Sequence, residues 1–91
     1  MEWAETIAKE LDVTPDALLH ESLRTYLEQR MMKIESQRFL LLKKYGVADI
    51  SELNQKVQAG AVRENESYED YFILDHLEAE KEKIREILHT L

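Results

Sequence analysis

Between Pro15 and Gly46 the chain has no proline and no glycine, so nothing in some thirty residues stops an α-helix once it has begun. At 1.5 Å per residue such a helix runs roughly 45 Å, longer than a compact domain of this size is wide. Either the rod bends or its far half packs against another chain. Thr14 marks its start with a hydroxyl N-cap, Pro15 supplies a preset first-turn φ, and Asp16 puts negative charge where the helix dipole favours it. Tyr45-Gly46-Val47 marks its end, because Gly46 can take the left-handed conformation without a Cβ clash. Leu19, Leu23, Tyr26, Leu27, Met31, Ile34, Leu41, Leu42 and Tyr45 recur in near three-four alternation, an apolar seam with Arg38 inside it. A polar residue there either fixes the register of paired helices or snorkels at the seam's edge.

The same periodicity predicts three further helices. Trp3, Ile7 and Leu11, with Ala4 and Ala8 beside them, form a stripe on a helix over about 2–11. Asp49 with Glu52 reads as a capping box opening a third helix over about 49–59, with Ile50, Leu53 and Val57 inward and Gly60 closing it. Arg63 to Glu66 reads as a polar connector, and Ser67 with Asp70 as the cap of a fourth helix over about 68–90. The first half of that helix is apolar on nearly every side through Tyr68, Tyr71, Phe72, Ile73, Leu74 and Leu77, whereas Glu78 to Lys83 is strongly charged. A turn that is apolar all round must be buried from several directions, as the core's central helix or against a second chain. The expectation is an all-α protein, one domain over 1–91, with Gly46 dividing it into 1–46 and 47–91. No internal repeat and no strand pattern longer than a few residues competes with it.

With 91 residues the chain is near the lower limit for a self-sufficient core, so oligomerisation is expected. There is no cysteine, which removes disulfides, thiolate metal sites and cysteine nucleophiles. No run of about 18 apolar residues and no basic-then-apolar start is present, and the chain reads as cytoplasmic, without a membrane partner. Nineteen acidic against twelve basic side chains give a net charge of -7, which opposes approach to a polyphosphate. The bases from Arg30 to Lys44 are diluted by Glu28 and Glu35 and read as a solvated helix surface.

Reactive constellations are scarce. Glu86-Ile87-Leu88-His89 is the single match to the Glu-x-x-His pairs of helical two-metal sites, which need several copies. His20 beside Glu21 and Asp75 beside His76 put neighbours on different helix faces. The serines have no elbow motif around them, and the two glycines form no phosphate-cradling loop. The expectation is a protein with no enzymatic activity, no metal and no cofactor.

The stretch from Ala4 to Leu27, with its apolar-alanine opening, short turn into Thr14-Pro15 and aliphatic run ending in Tyr26-Leu27, resembles helix A, turn and helix B of ribbon-helix-helix antitoxins. Lys44-Tyr45-Gly46-Val47, the short helix that follows, Gly60 and Tyr68-Glu69-Asp70-Tyr71-Phe72 resemble the C-terminal half of small prokaryotic antitoxin-like proteins. The resemblance implies an intertwined helical dimer joined through Leu19, Leu23, Tyr26, Leu27, Met31 and Ile34. It also implies a C-terminal region that masks a toxin through Tyr68, Tyr71, Phe72 and Leu77. In that family a strand ahead of helix A reads DNA while the start of helix B contacts phosphates, a position matched here by Thr14. Only Met1, Glu2 and Trp3 precede the matching stretch, and no residue matches the strand. The implied function is an antitoxin-like protein that dimerises and neutralises a partner toxin. A homo-oligomer without a foreign partner and a DNA-binding repressor lacking its strand are the alternatives.

Overall fold

A computed structural model describes residues 2–91 as four α-helices, which include no strand. They are α1 (Glu2–Glu10), α2 (Pro15–Tyr45), α3 (Ile50–Gln58) and α4 (Glu64–Thr90). The all-α expectation and the unbroken second helix hold.

Each helix ends for a local reason. The Thr14 hydroxyl accepts from the Ala17 amide at 3.0 Å and opens α2. The Asp49 carboxylate accepts from the Glu52 amide at 2.8 Å and opens α3, while the Glu52 side chain accepts in return from the amide of Ala48. Gly46 closes α2 with φ 65°, its amide bonding to Lys43 O while Val47 N reaches back to Leu42 O. Gly60 does the same after α3, with φ 78°. The third closure uses no glycine: Asp12 has φ 60°, and Val13 N bonds to Ala8 O at 3.0 Å. These paired bonds satisfy helix-end carbonyls, but an L-residue held left-handed costs about 1–2 kcal/mol. Asp12→Gly is therefore expected to raise stability by about 0.5–1 kcal/mol, and Gly46→Ala to lower it by about 1 kcal/mol. Urea midpoints measure both, and a destabilised Asp12→Gly would show that the Asp12 side chain does more than occupy a turn.

The start of α4 corrects the sequence reading. The helix begins at Glu64 rather than Tyr68, with Arg63 at the cap and no side-chain cap bond. Glu64 and Glu66 put acid in the first turn, where the dipole stabilises it. Ser67 lies inside the helix, buried, its hydroxyl donating to the carbonyls of Arg63 and Glu64. A serine followed three residues later by an acid looks the same in sequence whether it caps a helix or bonds back within one.

α2 and α4 run antiparallel side by side. Ile34, Leu77 and Ile84 form one buried cluster, flanked by Leu27, Met31, Leu41 and Leu88. Leu42 and Leu74 form a second with Leu53 of α3, which closes the end of the hairpin. Between the rods, Arg30 pairs with Glu80, Arg38 with Glu78, Glu35 with Lys81 at 2.8 Å, and Lys44 with Asp70 at 2.6 Å. Arg38 thus sits at the edge of the seam, bound across it, and contributes to register. Asp70, read as a cap, is instead an anchor between helices. α1 packs on α2 alone, burying Ala4 and Ala8.

The molecule measures 61 × 20 × 18 Å, with a radius of gyration of 19.2 Å where a compact chain of this length would have about 12 Å. Its accessible surface of 7164 Å² compares with about 5,500 Å² for a compact monomer of 10.8 kDa. A rod of two long helices has too little interior for its own apolar side chains.

Candidate functional site

The excess surface is apolar in three places. At the first end, α4 finishes opposite His20, whose Nε2 lies 3.0 Å from the Leu91 oxygen. The opening turn of α2 and the helix α1 lie beyond that point. Leu19 stays exposed there, together with Trp3, Ile7 and Leu11 of α1, while Leu23 and Tyr26 stay exposed on the turns that the last part of α4 runs alongside. The stripe on α1 therefore corrects the sequence reading: the small Ala4 and Ala8 are buried, because alanines let two helices approach closely, and the larger residues flank the contact.

Along the middle, Met32, Phe39 and Leu40 project from the side of α2 opposite Ile34, and all three are exposed. Their offsets of two to six residues from Ile34 place them off the apolar seam. At the second end, Tyr68 and Phe72 stand one turn apart on the side of α4 away from Leu74 and Leu77, 67% and 69% exposed, with Tyr71 and Ile73 beside them. Tyr68, Glu69, Phe72 and Ile73 line a shallow groove of about 350 Å³. Altogether six of the seven aromatic side chains are exposed, and only Tyr45 is half-buried. The first half of α4 is thus not the core's central helix on all sides.

The residues expected at interfaces divide accordingly. Leu19, Leu23 and Tyr26 are open, as are Tyr68, Tyr71 and Phe72. Ile34 and Leu77 are corrections, since each is buried against the other's helix within one chain. Leu27 and Met31 are half-buried against that cluster. Thr14 has its hydroxyl engaged as the α2 cap and stands between Asp12 and Asp16, a setting that repels phosphate.

Ion pairs, rather than a reactive group, shape the electrostatics. Lys44 donates to Asp70, and the Tyr45 hydroxyl donates to the same carboxylate, which holds Asp70 below the usual carboxylate range. Burial first, and then Asp70, push the Tyr45 phenol up. Glu35 is held low by Lys81. A depressed carboxylate stabilises the fold above its unfolded pKa, about pH 4, and the contribution is lost as pH falls through the lower folded value. The raised phenol contributes below its ordinary pKa, about pH 10, and is lost above it. The urea midpoint is therefore expected to fall as pH drops below about 4, and Asp70→Asn should flatten that fall. An unchanged profile in Asp70→Asn would remove the clamp from the account.

Among the described residues, no group of three or more His, Asp or Glu is placed to hold a metal ion. Nor is any described helix long and apolar enough to cross a membrane. What the surface offers is greasy contact area at both ends and along the back of a charged rod.

No curated protein and no solved structure matches the chain. One family model does, that of the Uncharacterized protein MJ0235 family, over residues 1–91.

Proposed function

We propose that this chain, which belongs to the MJ0235 family from end to end, is a non-enzymatic interaction protein of antitoxin type that self-associates and masks a partner protein. One observation carries the reading: the folded chain exposes about 1,600 Å² more than a compact monomer would, with six of its seven aromatics in that surface. A standard protein interface removes about 800 Å² from each partner, so the excess has room for two contacts. Large exposed apolar patches on a folded protein mark binding surfaces, and aromatic anchors dominate such interfaces.

The two ends suit the two contacts. Leu19 lies where α4 stops short, Leu23 and Tyr26 lie exposed beside its last turns, and a second copy would supply the missing cover. Tyr68, Tyr71 and Phe72 are left for the masked partner. DNA is a poor fit to either end, since the Thr14 helix start carries acids on both sides.

The test is co-production with the product of the adjacent gene. The reading expects a stable complex, and relief of any growth arrest that the neighbour causes alone. A neighbour that is harmless and does not co-purify contradicts it.

A further inference from the structure

We infer that the exposed aromatic face at the start of α4 docks on a basic protein surface, one in which lysine and arginine surround an apolar cleft, and not on a second copy, a nucleic acid or a membrane. The inference rests on the interaction reading above and adds which face takes the foreign partner and of what chemistry.

Residues 64–78 contain six carboxylates and no lysine or arginine. Three of the six have partners in the chain: Glu66 lies 3.8 Å from Arg63, Asp70 binds Lys44, and Glu78 binds Arg38. Glu64, Glu69 and Asp75 form no ion pair among the described residues. Glu69 lines the groove at Tyr68 and Phe72, Glu64 lines the adjoining one at Tyr68 together with Arg63, whose charge Glu66 offsets, and Asp75 lies one turn beyond Tyr71 and Phe72. The surface is thus an apolar centre with a negative rim whose charges the fold leaves unused.

That combination selects the occupant. Two copies meeting at this face would bring like rims together, and each molecule already carries a net charge of -7. A phosphate backbone or an anionic lipid headgroup meets the same repulsion, although the aromatics alone would suit either. A cationic rim on the partner converts the repulsion into steering, because complementary potentials speed encounter and fix orientation while the buried aromatics hold the complex. The arrangement of central anchors inside a charged rim is the common anatomy of protein interfaces.

The probe is a fluorescent eighteen-residue amphipathic peptide of leucine and lysine, titrated with the full chain. Two controls accompany it, the same peptide with glutamate for lysine and a plain oligolysine. The leucine-lysine peptide is expected to bind, and to weaken at least tenfold in Tyr68→Ala/Phe72→Ala and severalfold in Glu69→Lys/Asp75→Lys. Phe39→Ala, an equally exposed aromatic on α2, should leave binding unchanged. Helical circular dichroism and the mass in solution should be the same for all variants. Equal binding by the Tyr68→Ala/Phe72→Ala protein, equal binding of the glutamate peptide, or oligolysine binding as tightly as the amphipathic peptide would each overturn the inference. A drop in solution mass in Tyr68→Ala/Phe72→Ala would overturn it too, by making the face a contact between copies. A neighbour-gene complex that forms but ignores these substitutions removes this inference and leaves the interaction reading standing. Peptide binding at this face without any neighbour complex does the reverse.

Discussion

Leu74→Ala is expected to cost about 3 kcal/mol, among the largest single-site losses in the chain. Leu74 is fully buried where α4 meets Leu42 of α2 and Leu53 of α3, so it ties three helices together. Truncating a buried leucine removes its transfer free energy and leaves a cavity, which together cost about 2–5 kcal/mol. For a domain of this size each kcal/mol shifts the melting temperature by roughly 4–8 °C, so a fall of well over ten degrees should follow. Phe72, two residues earlier on the same helix, makes the opposite case. It is 69% exposed, and Phe72→Ala should change stability by less than about 0.5 kcal/mol while changing binding. Comparable losses in the two variants would mean that Phe72 is covered in the protein's working state.

Leu19→Glu/Leu23→Glu is expected to have the largest effect on self-association. Both leucines stand on the stretch of α2 near and beyond the reach of α4, and both are exposed in the single chain. Placed between two copies, each would be an apolar anchor. Substituting glutamate removes the anchor and, by symmetry, buries like charges against each other. Interface hot spots cost about 2 kcal/mol or more on truncation, and with both leucines serving as such anchors the dissociation constant should rise by about 30-fold or more. Helix content should not change, because neither side chain belongs to the buried clusters. An unchanged solution mass in this variant would move the contact between copies elsewhere, with the Met32, Phe39 and Leu40 face the next place to look.

The elements were legible in the sequence wherever punctuation was local. Thr14-Pro15, Gly46, Asp49-Glu52 and Gly60 each mark a helix end through chemistry that acts within a few residues. Asp12 was not legible, since an aspartate in the left-handed region replaces the glycine by which such turns are recognised. Ser67 is ambiguous in sequence because its hydroxyl serves a cap and an interior turn equally well. The larger gap concerns sides rather than elements. Apolar spacing identifies a seam but not which partner fills it, so Ile34 and Leu77 read as interface residues although α2 and α4 bury them together. Leu19 and Leu23 continue the same seam and look alike in sequence. The end of α4 opposite His20 leaves Leu19 open, and Leu23, within reach of the last turns of α4, is 45% exposed all the same. The exposed Tyr68 and Phe72 were visible as aromatic residues, while their position on the outer side followed only once Leu74 and Leu77 were placed inside.

The claim beneath these expectations is that the single chain carries more apolar surface than it can cover. Sedimentation or light scattering of the unmodified protein at micromolar concentration tests it most directly. A mass of at least twice the 10.8 kDa of one chain is expected. A homogeneous 10.8 kDa species that persists as concentration rises, with its aromatics shielded from quenchers, would contradict it.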